Sequence, residues 1–163
     1  MDEELLGLAG RVGERLRQGG QTVAVAESSA GGLIAAALLA QPGASAYFRG
    51  GAVVYTGDAK SLLLDLSRET ISQPRAATPE HALILAGGIR DRLGATWGIG
   101  ETGAAGPTGN RYGDPPGHSC LGVAGPVELV EVVQTGSADR VANMTSFAIA
   151  ALRILESALE RAG

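Results

Sequence analysis

Residues Thr22–Gly32 read TVAVAESSAGG. Val23, Ala24, Val25 and Ala26 are small or β-branched, the composition of a short buried strand. Glu27-Ser28-Ser29 and the pair Gly31-Gly32 follow at once, and an apolar helical run continues to Ala40. The order predicts a strand, a tight turn and a helix start, with the Ser28 hydroxyl in the turn. Helix N-termini carry unpaired N–H groups and the positive end of the macrodipole. A serine there either binds an anion or serves as a nucleophile whose oxyanion those donors receive.

Outward from this stretch, Leu5, Ala9, Val12 and Leu16 fall at helical spacing before Gly19-Gly20, which predicts a helix over Asp2–Gln18. Tyr47–Tyr55 reads as extended, with Gly50-Gly51 marking a bulge or a close backbone approach. A short helix is predicted over Asp58–Leu64, and the stretch from there to Ala77 has no clear pattern. Thr78-Pro79-Glu80 is a helix start of capping hydroxyl, first-turn proline and acid, and Gly94 is its stop. Thr96–Gly100 is predicted as a strand, Glu101–Gly117 as a Gly/Pro-rich loop, and His118–Ala124 with Val127–Gln134 as a hairpin. A last helix is predicted over Ala138–Arg161. Helices alternating with strands, plus one hairpin, imply one three-layer α/β/α domain with a mixed sheet over residues 1–163.

Composition narrows the function. The net charge of -4 and the scattered, unclustered basic residues argue against a nucleic-acid partner. No apolar run reaches the roughly 20 residues of a membrane span, and the acidic, amphipathic N-terminus resembles neither a secretory nor a transit signal. A cytoplasmic protein is expected. The single cysteine, Cys120, permits no internal disulfide and reads as a small core residue, and no Cys/His group has zinc spacing.

Gly98, Gly100 and Gly103 fit G-x-G-x-x-G, but Pro107 and Gly109 interrupt the helix that a dinucleotide site needs. A Gly-rich loop after a strand still presents N–H groups to a phosphate as a nest, with Thr102, Thr108 and Asn110 nearby; a plain surface loop is the alternative. Tyr55 ends an apolar strand, and Lys60 lies in the first turn of the next helix. Helix position and partial burial both lower a lysine pKa there, as a general base requires, while a solvated lysine is the competing reading. His81 is expected at the surface, and His118 either lines a pocket or packs a loop. Trp97 is expected in the core. Glu27 either orients a hydroxyl or an amide, or stays solvated, and Arg140 at the last helix start suggests a bound anion or a carboxylate partner.

Taken together, AESSAGGLIAAAL (Ala26–Leu38), VVYTGDAK (Val53–Lys60), ETGAAGPTG (Glu101–Gly109) and SADR (Ser137–Arg140) resemble the CinA C-terminal domain family, which includes nicotinamide mononucleotide deamidases. The resemblance implies an amidohydrolase converting nicotinamide mononucleotide to nicotinate mononucleotide and ammonia. It implies Ser28 as nucleophile, activated by Lys60 and Tyr55, with hydrogen-bond reach between the Ser28 hydroxyl and the Lys60 amine. N–H groups around Ser29–Gly32 would hold the oxyanion. Glu27, Gly31, Gly32, Thr102, Gly103, Gly106, Thr108, Gly109 and Arg140 would contact substrate, the loop and Arg140 receiving the ribose phosphate. No metal or cofactor is implied, and the expected partners are a small nucleotide and a second copy of the chain in a homodimer. The chain departs from the family at Ala30, usually threonine, at Asn110–Asp114, and at Asn143-Met144, where many members carry a second arginine.

Overall fold

Alternation along the central strand decides which layer packs on which side. The computed structural model describes Met1–Gly163. Its sheet holds five strands, β1 (Val23–Glu27), β2 (Phe48–Val53), β3 (Trp97–Ala104), β4 (His118–Ala124) and β5 (Leu129–Gln134), in the order β2-β1-β3-β4-β5. β1 runs parallel to β2 and β3, and the β3–β4 and β4–β5 pairs are antiparallel. The sheet is open and mixed, as expected. The helices are α1 (Glu3–Gly19), α2 (Leu33–Leu39), α3 (Gly57–Leu64), α4 (Arg68–Ser72), α5 (Pro79–Leu93) and α6 (Arg140–Ala162). No helix is long and apolar enough to cross a membrane.

Odd-numbered residues of β1 and β3 (Val23, Val25, Trp97, Ile99) join Leu121 and Val123 of β4 in the larger core. Against them pack Leu5, Leu16, Ile34, Leu38, Phe147, Leu152 and Leu155 from α1, α2 and α6. Even-numbered residues face α5 and are all small. Gly50, Ala24, Gly98 and Ala124 are in register across four strands, as are Ala52, Ala26, Gly100 and Gly122. This bare face lets α5 lie against the strand backbone. A Cβ on Gly98 would stand 2.0 Å from the Ala86 carbonyl oxygen, and one on Gly100 2.1 Å from that of Ala82. The G-x-G-x-x-G spacing is therefore a helix-seating device here. Its third member, Gly103, is closed in by β4, where a Cβ would lie 2.5 Å from the His118 carbonyl oxygen.

Two segments differ from the sequence expectation. β3 continues through Glu101 to Ala104, which sequence reading assigned to a loop, because Glu101–Ala104 pair with Leu121–His118 of β4. α4 fills the unassigned stretch, its first turn capped by Ser67. The Thr78 cap forms as expected, accepting from the His81 N–H at 3.2 Å, and Asp139 caps α6, accepting from the Ala142 N–H at 3.1 Å.

Gly100→Ala and Gly98→Ala are expected to lower stability by about 1–3 kcal/mol or more, the range for overpacking, read as a fall in Tm. Gly87→Ala, also on α5 but with nothing within 4 Å of the added Cβ, is expected to be neutral or to stabilise by up to about 1 kcal/mol.

Candidate active site

The order β2-β1-β3 puts the first crossover connection on one side of β1 and the next on the other. The C-terminal ends of β1 and β3 thus flank a topological switch point, where open α/β sheets bind ligands. Ser28 follows β1 at this point, and Glu101 stands near the end of β3.

Glu101 is 0% exposed, and its carboxylate holds the turn after β1 in place. Its Oε1 accepts from the Ser28 N–H at 3.0 Å and the Ala30 N–H at 2.7 Å. Its Oε2 accepts from the Ser29 hydroxyl and, at 2.8 Å, from the Ser119 hydroxyl. A buried carboxylate so surrounded by donors needs no counter-ion in contact. Glu27, 1% exposed, does the same for α2. It accepts from the N–H groups of Gly32 at 2.8 Å, Ile34 at 3.1 Å and Ala35 at 2.9 Å. Burial nevertheless pushes its pKa up, against those hydrogen bonds.

These contacts bear on two expectations. Glu27, expected to contact substrate, has both its oxygens committed to the start of α2. The donor set proposed for an oxyanion is largely engaged as well: Ala30 and Gly32 donate to the two carboxylates, and Gly31 to the Ser28 carbonyl at 3.0 Å. The Ser29 N–H is left without an acceptor. Gly31 and Gly32 sit at φ +69° and +101°, which L side chains rarely adopt, so the turn requires both glycines. Every buried polar side-chain atom has a hydrogen-bond partner. The Ser28 hydroxyl has none, so it keeps some contact with solvent, although Ser28 as a whole is only 8% exposed.

Lys60 lies on α3 beyond the adjacent strand β2, at the same edge of the sheet, and only 6% of it is exposed. Burial lowers its pKa from the usual lysine range, and the Glu101 charge opposes that shift. The hydrogen bond expected with Ser28 is not formed. The Lys60 amine instead meets His81 Nε2 at 2.9 Å, while His81 Nδ1 meets the Pro74 carbonyl at the same distance. His81 is 0% exposed, which overturns its expected surface position. Burial, then the Lys60 charge, holds its pKa down at about 4.

Tyr55 is 59% exposed and shares with Lys60 a cleft of about 270 Å³ whose walls include Arg68, Arg111 and Tyr112. Ser28 is not part of these walls. The Tyr55 hydroxyl accepts from Arg140 at 3.3 Å, and Arg140 also donates to the Gly106 carbonyl, so Tyr55, Arg140 and the loop after β3 form one contact chain. Thr108 and Gly109 are exposed on that loop. Thr102 is buried and Gly103 is partly exposed. The Thr102 hydroxyl accepts from the Ala77 N–H at 3.0 Å inside the protein, and Gly103 is packed on β4. A larger hollow of about 430 Å³ lies between the C-terminal ends of α1 and α6, far from this chemistry. No cluster of three His, Cys, Asp or Glu has metal-holding geometry.

His118 packs the loop: it bonds the Ala77 carbonyl and the Gln134 amide, each at 2.9 Å. Cys120 is a core residue whose thiol pKa burial pushes up to about 12. Asn143, read in the sequence only as standing where many family members carry a second arginine, is buried at the start of α6. It donates to the Ala105 carbonyl at 2.7 Å and the Ser137 carbonyl at 2.9 Å, tying the loop to that helix.

Fold and site together define an α/β domain with a serine turn and a buried lysine at one switch-point edge. The chain belongs to the CinA C-terminal domain family, whose profile matches residues 6–159. It is 41% identical over 133 residues to a CinA-like protein of Synechococcus elongatus, covering 82% of this chain and 32% of the relative. It is also 41% identical over 123 residues to a putative competence-damage inducible protein of Halothermothrix orenii, covering 76% and 30%. The chain thus spans about a third of the length of these curated relatives. Among solved structures it is similar to the competence/damage inducible protein CihA of Agrobacterium tumefaciens, with TM-score 0.90, 32% identity and 98% of each chain covered. A CinA superfamily protein of Klebsiella pneumoniae matches with TM-score 0.89, 27% identity and coverage of 96% and 98%.

Glu101→Gln, which puts a donor where the carboxylate accepts, is expected to lower unfolding free energy by about 1–3 kcal/mol, measured by denaturant titration. His81 supplies a pH signature. Its folded pKa of about 4 lies below the ordinary histidine value of 6.5, so the unfolded chain binds the extra proton. Its contribution is complete above pH 6.5 and is lost as pH falls toward 4, roughly 3 kcal/mol in all. Unfolding free energies across that window are expected to fall more steeply in the wild type than in His81→Gln, which has no proton to take up.

Proposed function

We propose that this domain is an amidohydrolase that converts nicotinamide mononucleotide to nicotinate mononucleotide and ammonia, working as a cytoplasmic homodimer. The observation that carries the reading is a buried lysine amine at the same sheet edge as a serine hydroxyl that makes no internal hydrogen bond and keeps some contact with solvent. Burial raises the neutral fraction of that amine at a given pH, and only a neutral amine can take a proton from serine.

In this mechanism neutral Lys60, assisted by Tyr55, removes the Ser28 proton as Oγ attacks the carboxamide carbon. The Ser29 N–H faces the developing oxyanion. The ammonium form of Lys60 returns its proton to the leaving nitrogen, and ammonia departs. Water then attacks the acyl-enzyme, giving up a proton to Lys60, which passes it to Ser28 Oγ as the acyl–oxygen bond breaks; the pyridine carboxylic acid releases its remaining proton to solvent. Arg140 and the exposed Thr108–Gly109 segment receive the ribose phosphate.

A second reading, a nucleotide-binding module without turnover, draws on the Lys60–His81 bond standing where a Lys60–Ser28 bond was expected. Ammonia release separates the two. The wild type is expected to release ammonia from nicotinamide mononucleotide, with Ser28→Ala and Lys60→Met slower by about 10²-fold or more. Equal slow release by wild type and Ser28→Ala, with ligand-induced thermal stabilisation in both, would establish the binding module instead.

A further inference from the structure

We propose that His81 is a positioning residue for Lys60: its Nε2 lone pair accepts a hydrogen from the Lys60 amine and holds that amine at the edge of the sheet that carries Ser28. The inference rests on the reading of Lys60 as proton acceptor for Ser28, and it adds the group that orients the acceptor.

The hydrogen-bond pattern fixes the roles. The Pro74 carbonyl can only accept, so His81 Nδ1, 2.9 Å away, must carry the ring hydrogen. A neutral imidazole protonated at Nδ1 has a bare Nε2, and the Lys60 amine lies 2.9 Å from it. With one hydrogen turned toward His81, tetrahedral geometry directs the lone pair of a neutral amine away from the ring. A flexible four-carbon side chain is thereby held in one orientation.

The imidazole is itself well anchored. It is fully buried, and both of its nitrogens are engaged. The backbone beneath it starts α5 at the Thr78 cap and Pro79, on the helix seated against Gly98 and Gly100. The charged group acting on the pair from outside is Glu101 on β3, which favours the protonated form of Lys60. The suppressed basicity of His81 keeps the ring neutral, and so able to accept, throughout the range in which an amidase would work.

The test begins on the unmodified protein without substrate. Long-range proton–nitrogen correlation at pH 7 is expected to show His81 protonated at Nδ1 and bare at Nε2. A hydrogen on Nε2 would overturn the proposal. Carbon-detected titration of the lysine Cε signals then follows Lys60. Its midpoint is expected to fall in His81→Leu, where the amine loses an acceptor that favours the ammonium, and to return in His81→Gln, whose amide oxygen can accept.

For nicotinamide mononucleotide hydrolysis, His81→Leu is expected to lose about 10²-fold in kcat, the scale of a misplaced catalytic group, with KM little changed. His81→Gln is expected to recover most of that loss. A folded His81→Leu protein with wild-type kcat and an unmoved Lys60 midpoint would refute the role. Should that variant not fold, the wild-type tautomer and His81→Gln decide. Failure of the wild type to release ammonia would sink the amidase reading alone, because the resonance measurements need no turnover.

Discussion

The Glu101 carboxylate organises the corner on which the serine turn and the strands around it depend. It takes hydrogens from the backbone of Ser28 and Ala30 and from the hydroxyls of Ser29 and Ser119. It thereby binds the turn after β1 to β3 and, beyond it, to β4. Without it, two backbone N–H groups and the Ser29 hydroxyl would be buried with no acceptor, a cost of several kcal/mol by the usual scale for unsatisfied groups, and the Ser119 hydroxyl would keep only the Thr102 carbonyl at 3.3 Å. The same charge acts on Lys60 and opposes the effect of burial there. One side chain thus shapes the serine turn and moderates the basicity of the amine.

The helix terminus at this corner differs from the simple picture of a free anion site. Glu27 lies at the end of the same strand and closes the start of α2 with three N–H bonds. Positive potential that would otherwise draw a phosphate is neutralised from inside. Cationic groups stand instead around the neighbouring cleft, with Arg68 and Arg111 in its walls and Arg140 joined to Tyr55.

Much of this was legible in the amino-acid order. Strict alternation in Val23-Ala24-Val25-Ala26 announces both the strand and its two unlike faces, and Thr78-Pro79-Glu80 announces α5. The misses have physical reasons. Glu101 sits among glycines, which read as a loop, yet it extends the inward alternation of Trp97 and Ile99 by one step. A carboxyl at such a position signals a buried acceptor. His81 precedes Leu85 by one helical turn and so lies on the buried stripe of α5, but its place in the first turn suggested solvent. The partner of Lys60 is not legible at all, because Lys60 and His81 meet only through tertiary packing.

The bare face of the sheet makes the helix above it a lever. α5 rests on strand backbone at Gly98 and Gly100, and its first turn carries the imidazole that meets Lys60. A methyl group added under the middle of that helix has no space to occupy, so it must tilt or raise the whole rod. The fulcrum lies in the sheet, and the tip lies at the chemistry. Residues that never approach a ligand therefore govern how accurately an amine is aimed, and a search for altered activity would return substitutions from the floor of the sheet as well as from the cleft.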